Sequence, residues 1–453
     1  MQSVKGLFMN FMRIVGTGLV LMVVGFSYGQ DTSGLKIKFN GHASVEAGQV
    51  VSGYDKNADN TSGAIAHVFI DRIYLGAGFN VKFDSLTNFA GGVDVKTFNE
   101  FPRLVAYGAT RRYYYYVYLT QAELTHKVID KNGLALTVGG GYFPYKYNSN
   151  AMNLGEYMFR STAYPQTLTT EFDFPFARLA GLYAKSAYTM GNNKLTFDFL
   201  ATINTEWMAI GDLNLSMLAS YNIAHAFEIG GGVEFGSVIS ADEDVTTPKN
   251  VSTKYTNVPL TDSNRYSSGI DSNNYYTFRG TKVMGRFSFD PKKIFPMPFC
   301  GDLDLILYGE AALLGVKNYP AALHSPIWYN SRLERIPVML GFNVPTFKLL
   351  DRLSLEGEWW GNRYPNSLQG VVTNGLPLPF NGATTIDSTK YKNDNFKWSI
   401  YGCKSFNKHY KVTFQVANDH MRTFAWDWDR QDWEESLRSP KNWYYMLKFG
   451  VMF

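Results

Sequence analysis

The chain has 453 residues, of which 45% are hydrophobic, 16% aromatic and only 18% charged. Charge this low sits below the roughly 25% of a soluble domain. A mean hydropathy of −0.19, with no apolar run of about 18 residues beyond the N-terminal stretch, excludes a bundle of membrane helices. Two cysteines exclude a disulfide scaffold and a four-cysteine zinc site. A formal net charge of +4 gives no electrostatic case for nucleic acid, and no cofactor motif is present.

The first thirty residues read as an address. Lys5 and Arg13 are the only charges before Asp31, and Ile14 to Phe26 is apolar. Ser27-Tyr28-Gly29 then sets small residues at the −3 and −1 positions of a cleavage site. This pattern predicts a secretory signal peptide over 1–29, and a single mature domain over 30–453 outside the cytoplasm. The apolar core is too short for a ~30 Å span.

The mature chain alternates with period two in segments of about ten residues. In chain order, Leu35, Ile37, Phe39 and Val45 oppose Lys36, Lys38, Asn40 and Glu46. Leu195, Phe197 and Phe199 oppose Lys194, Thr196 and Asp198, and Leu213, Leu215 and Met217 oppose Asn214 and Ser216. Phe227, Ile229, Val233 and Phe235 share a face opposite Glu228 and Glu234, and Leu303, Leu305 and Leu307 face away from Asp302 and Asp304. Leu353, Leu355 and Trp359 oppose Glu356 and Glu358, and Val412, Phe414 and Val416 oppose Lys411, Thr413 and Gln415. Successive side chains of a strand point to opposite faces, so each segment is a strand with one apolar and one polar face.

A soluble antiparallel sandwich alternates in the same way. Three features favour a transmembrane antiparallel β-barrel, an all-β fold. The strands are many and long enough for a tilted span. Aromatic residues such as Trp207, Trp359, Trp360, Tyr410, Trp443 and Tyr444 sit near strand ends. The last segment, Tyr445, Leu447, Phe449, Val451 and Phe453, ends on an aromatic residue, resembling the C-terminal signal by which outer-membrane barrels are recognised for insertion.

Sixteen strands are predicted, within a range of 14 to 18: 35–47, 62–72, 74–84, 116–128, 134–145, 176–187, 194–207, 212–222, 225–237, 276–290, 302–314, 336–346, 352–362, 394–404, 410–420 and 442–453. Short turns at Ile129–Gly133, Asn222–Ala224 and Ser405–His409 face the periplasm, and the outer loops are 85–115, 146–175, 238–275, 363–393 and 421–441. The lengths do not alternate strictly: 290–301 is a long connection on the short-turn side, and 98–110 also reads as a strand. About sixteen strands enclose an aqueous lumen, whereas eight are filled by side chains. The polar faces would line it, giving Lys36, Lys38, Lys194, Asp198, Glu228, Glu234, Glu356, Glu358 and Lys411 as lumen-facing candidates. Their mixed signs predict weak ion selectivity.

The loop 146–175 is the candidate constriction, with Lys146, Glu156, Arg160 and Asp173, and Arg178 at the start of the next strand, as constriction candidates. In topology it resembles the third outer loop of the general trimeric porins, which folds into the barrel. More specifically, Gly139-Gly140-Gly141-Tyr142-Phe143-Pro144-Tyr145 and Phe159-Arg160-Ser161 resemble the phosphate-selective porin family, over about 45 residues. The resemblance implies an inward loop. It does not carry phosphate selectivity, because that family relies on rows of Arg and Lys, and the faces here are mixed. Large porins form homotrimers, so the resemblance implies the same assembly, although no feature of this chain fixes it.

Trp426 and Trp428, alternating with Asp427 and Asp429, are candidate outer-loop contacts for glycans. The seven histidines form no metal-like pair, and no Ser–His arrangement points to an enzyme. Cys300 and Cys403 both fall toward the periplasmic half, and their pairing is left open. The sequence therefore reads as a non-enzymatic outer-membrane porin for passive diffusion of small hydrophilic solutes. Its partners would be outer-membrane lipids, lipopolysaccharide and the barrel-assembly machinery. The alternative is a structural or adhesive barrel whose long outer loops bind glycans or proteins.

Overall fold

The computed structural model describes residues 35–53, 69–99, 113–160, 177–205, 211–241, 279–316, 332–359, 395–421, 437 and 439–453. They form sixteen strands: β1 (Lys36–Ser52), β2 (Phe69–Lys82), β3 (Thr87–Asn99), β4 (Tyr113–Lys131), β5 (Leu134–Tyr145), β6 (Ala177–Met190), β7 (Asn193–Ile203) and β8 (Leu213–Ile223) make one half of the chain. The other half is β9 (Phe227–Ile239), β10 (Gly280–Phe289), β11 (Leu307–Leu313), β12 (Val338–Asn343), β13 (Arg352–Trp359), β14 (Phe396–Phe406), β15 (Tyr410–Asn418) and β16 (Trp443–Met452). Each strand pairs antiparallel with its sequence neighbours, and β1 pairs with β16, so the sheet closes on itself. Closure leaves no edge of unpaired backbone, which hydrocarbon would penalise by several kcal/mol per group.

The faces are inverted relative to a water-soluble protein. Outward residues are large and apolar, with Phe39 at 76% exposure and Leu182, Val117, Leu340 and Leu447 also exposed. Inward residues are buried and charged, including Glu46, Glu310, Glu356, Lys397 and, at 0% exposure, Lys282. Strand alternation produces both faces at once, and only a barrel set in hydrocarbon gains from it.

The total of sixteen agrees with the sequence-based expectation, but two of its parts do not. Segments predicted as 62–72 and 74–84 are not separate strands, because β2 runs unbroken through Ile73 in register with β1 from Gln49↔Phe69 to Lys36↔Lys82. The predicted outer loop 85–115 contains β3, and its start is a tight turn. The Asp84 Oδ1 accepts from the N–H groups of Leu86 and Thr87, both at 2.6 Å, and reverses the chain within residues 83–86. Within β3 the register shifts between Gly92 and Val93, because β4 carries the extra residue Thr120 there. The predicted strand 302–314 also starts late: Leu303 and Leu305 belong to the connection, with Leu305 at φ 61, and β11 begins at Leu307.

With these corrections the connections alternate between the two ends, with 290–306 still long for the short-turn side. At one end lie 83–86, 132–133, 191–192, 224–226, 290–306, 344–351 and 407–409; at the other lie 53–68, 100–112, 146–176, 204–212, 240–279, 314–337, 360–395 and 419–442. The first set includes Asn132-Gly133, with φ of 53 and 77, the left-handed pair that a two-residue hairpin turn needs. Cys300 and Cys403 are both buried and not bonded to each other.

Asp84 has a measurable role in the turn that the sequence reading missed. The N–H groups of Leu86 and then Thr87 hold its carboxyl below the usual carboxylate range. A depressed carboxyl stabilises the fold above its ordinary pKa and loses that contribution as pH falls through the folded value. Asp84→Ala should lower the urea midpoint of the refolded barrel slightly at pH 7. The deficit relative to the parent should shrink on acidification; a deficit that persists at low pH would show that the carboxylate is not its source.

Candidate solute passage

The loop after β5 folds into the barrel. Gly141, at φ 122, packs so closely that a Cβ would collide with the Ala122 carbonyl of β4, and the strand then turns its last aromatics inward. Phe143 and Tyr145 are buried on the inner wall, and Ala151, Leu154, Tyr157, Met158 and Phe159 of the loop pack against them. The same cluster takes in Leu179, Leu200, Met284, Tyr308 and Met339 from β6, β7, β10, β11 and β12. The principal apolar core of the described residues therefore lies inside the barrel, between the loop and the wall of β5–β12.

Two carboxylates of the wall hold the loop's backbone. Glu356, on β13, accepts from three successive N–H groups: Met152 at 2.6 Å, Asn153 at 2.9 Å and Leu154 at 2.9 Å. The Tyr308 hydroxyl donates to it as well, at 2.9 Å. Glu310, on β11, accepts from the N–H groups of Glu156 at 3.1 Å and Tyr157 at 2.9 Å, from Asn148 Nδ2 at 3.2 Å, and from the Tyr147 hydroxyl. A bare loop in a lumen would leave these N–H groups buried without acceptors; the two acids supply them.

Further contacts fix the loop's far side. The Tyr157 hydroxyl donates to Glu358 at 2.8 Å, and the other Glu358 oxygen lies 2.6 Å from His420 Nε2. Asn153 Nδ2 donates to Asp419 at 2.8 Å and to Ser399 Oγ at 3.1 Å. Lys282 Nζ donates to the Met158 carbonyl at 3.3 Å and pairs with Glu234 at 3.7 Å. The loop thus spans from its own strand to β13–β15 across the lumen.

Of the predicted constriction residues, Lys146 Nζ donates to the Ala151 carbonyl at 2.5 Å within the loop. Glu156 and Arg160 are buried in the loop, and Glu156 Oε1 accepts from the Asn148 N–H at 2.9 Å. Arg178 lies on β6, within the predicted strand 176–187, and its guanidinium lies 4.9 Å from the centroid of the Tyr118 ring. Asp173, and the outer-loop candidates Trp426 and Trp428, lie outside the described residues.

The lumen-facing candidates divide by depth. Glu234, Glu356 and Glu358 are buried on the inner face, Asp198 accepts from the Tyr145 hydroxyl at 2.7 Å, and Glu228 pairs with Arg286. Lys36 and Lys38 share the strand face of Glu46 and sit at the short-turn end of β1, where they are exposed. Lys194 occupies the matching place on β7, and Lys411 shares its side of β15 with Gln415. Sequence reasoning missed Glu310, Asp419 and His420. Among the described residues no three His, Cys, Asp or Glu side chains gather as metal ligands would.

Burial pushes the Glu156 carboxyl up to about 7, against the opposing pull of Lys146 and Arg160. A carboxyl raised above its ordinary value contributes most below that value, and the contribution is lost as pH rises through the folded pKa. Hydrogen-exchange protection of residues 148–158, corrected for intrinsic rate, should therefore decline between about pH 5 and about pH 8. Glu156→Gln should flatten that profile.

Removing a wall acid should be more severe. Glu356→Ala leaves three loop N–H groups without their acceptor, a loss of about 3 kcal/mol in loop docking. Proteolysis within 146–160 in the folded barrel should accelerate markedly while strand pairing persists; an unchanged cleavage rate would mean that the acid does not hold the loop.

No protein-family model and no curated protein sequence matches the chain. Among solved structures it is similar to a triple mutant of the Rhodopseudomonas blastica porin, with 8% identity and a TM-score of 0.43, over 92% of this chain and 100% of that one. It is also similar to Salmonella typhi OmpF in complex with daunomycin, with 9% identity and a TM-score of 0.46, over 94% of this chain and 99% of that one.

Proposed function

We propose that the chain is an outer-membrane porin through which small hydrophilic solutes and ions diffuse passively. One observation carries this reading: two inner-face side chains away from the docked loop, among buried neighbours such as Glu46 and Asp94, remain open to solvent. His42 on β1 has 45% of its side chain accessible, and Lys448 on β16 has 35%. Side chains that point into a sixteen-stranded barrel and yet reach water line a hydrated lumen. The loop lies against β5–β13, and Met421 and Leu437 cover Val50, Ile70 and Tyr444 on β1, β2 and β16, so in this reading solutes pass beside His42 and Lys448.

The lumen's charges are arranged as cross-strand pairs. Glu46 stands between Lys448, at 2.7 Å, and Arg72, at 3.6 Å; Asp94 lies 3.2 Å from His42. Paired charges of both signs polarise water along the path without giving it a net field, which supports weak ion selectivity. In this reading a signal peptide over 1–29 directs export. The outward apolar face of β16, ending at Phe453, is what the assembly machinery reads, and outer-membrane lipids and lipopolysaccharide surround the wall. Homotrimer formation follows only from the resemblance to large porins.

The decisive experiment is conductance of the refolded full chain in a planar bilayer, with a salt gradient. Stepwise conductance with a reversal potential near zero is expected. Glu356→Gln, which loosens the loop, should enlarge the step. A folded barrel without channel activity would overturn the porin reading and shift the function to the outer loops as a binding surface.

A further inference from the structure

Five of the seven connections at the short-turn end are tight reversals, and four of these are built around polar or small residues, as at Asn132-Gly133, Gly191-Asn192, Ala224-His225 and Asn407-Lys408. The connections 290–306 and 344–351 differ. They pack on each other as one structured knob beneath β10–β13. The buried Asp304 carboxylate accepts from the N–H of Gly301 at 2.8 Å, and from the N–H and hydroxyl of Thr346 at 3.1 and 3.2 Å. Lys348 Nζ donates to the Pro298 carbonyl at 2.8 Å, and the Phe299 and Phe347 rings lie 6.1 Å apart.

This knob presents apolar side chains to the outside. Ile294, Phe295, Phe299 and Phe347 are exposed, and Leu349 is 78% exposed. Phe347 and Lys348 hold φ of 53 and 69 in the turn closed by the Leu349 N–H on the Thr346 carbonyl at 3.0 Å. That turn favours Asn or Gly, and a bulky residue there is costly, so the backbone is held in a strained form that displays a ring. Lys293 and Lys348 are exposed beside the apolar residues.

We propose that this knob is a membrane foot: its apolar side chains enter the lipid headgroup region at the short-turn end, and Lys293 and Lys348 meet anionic lipid phosphates. The inference rests on the membrane-barrel reading. Two observations favour lipid over a protein partner. The knob continues directly from the outward apolar row at the turn end of β10–β13, formed by Phe289, Leu307, Phe342 and Leu355, so it prolongs the lipid-facing wall. Aromatic and aliphatic residues mixed with lysine also match the chemistry of an anionic headgroup layer.

The test is site-directed spin labelling of the full chain in phosphatidylcholine–phosphatidylglycerol vesicles. Nitroxides go at Leu349→Cys, Phe295→Cys, Leu340→Cys on the outward face of β12, and Asn192→Cys in a tight turn. The chain without these substitutions, whose two cysteines are buried, is the blank. At Leu349, Phe295 and Leu340, accessibility to oxygen should exceed that to a water-soluble nickel chelate severalfold, with the reverse at Asn192. If Leu340 is lipidic but Leu349 and Phe295 meet the chelate, the foot is refuted and the barrel stands. If Leu340 itself meets the chelate, the membrane reading falls with it. Protection of Leu349 from both reagents would identify a protein or a second copy as the occupant, and also refutes the foot. Replacing phosphatidylglycerol by phosphatidylcholine should raise chelate access at Leu349 severalfold, and Lys293→Gln with Lys348→Gln should abolish that response; no change on replacing the lipid would refute the anionic contact.

Discussion

In hydrocarbon every backbone N–H and C=O must find a partner within the protein, so the pairing of β1 with β16 decides whether the other fifteen seams are tolerable at all. That seam runs from His42↔Met452 to Ser52↔Trp443 and is finished by reciprocal bonds between the Gly41 and Phe453 backbones, at 2.8 and 2.9 Å. The last strand is thus joined to the first along its whole length, and Lys36–Asn40 of β1 extend beyond it. On the lumen side Glu46 binds cations from both neighbours, Arg72 of β2 and Lys448 of β16, placing an ion triad across the point where the sheet closes.

Closure also dictates where the apolar core can go. With the outward faces given to lipid, the interior inherits the polar half of every strand. A hydrophobic core then forms only where a loop brings its own apolar residues inside, and 146–160 does so with Leu154, Tyr157, Met158 and Phe159. The loop's backbone would be stranded in this setting without Glu310 and Glu356. These acids are better understood as caps for a non-helical segment than as selectivity charges: their lone pairs are engaged by N–H groups and hydroxyls of the protein itself.

Much of this was legible in the alternation of the chain. Period two exposed the barrel, its approximate size and the inner position of Glu356 and Glu358, because those residues fall on strands with no interruption. The reading failed where local chemistry imitates a break. Gly91-Gly92 falls within the predicted loop 85–115, yet the pair lies inside β3, opposite the extra residue Thr120 that bulges β4. The unbroken β2 was divided at Ile73, and this extra strand offset the missing β3, so the total of sixteen was right although two of its members were wrong. Glu310 lies on the polar parity of β11 and is legible from the predicted strand 302–314, whose even positions carry its acids. The role of His420 was not accessible, because its partner Glu358 is distant in sequence and nothing local marks it.

The acids that hold the loop come late in the chain. The bonds from Glu310 to Glu156 and from Glu356 to Met152 bridge sequence separations of 154 and 204 residues. Contacts of such range wait for large-scale loop closure, and they also wait for β11 and β13 to be made and paired. The segment 146–160 consequently has its docking site only where β5, β11 and β13 already share one sheet. The docked loop is therefore a reporter of closure: its N–H groups meet their carboxylates only where strands from both halves of the chain stand in one wall.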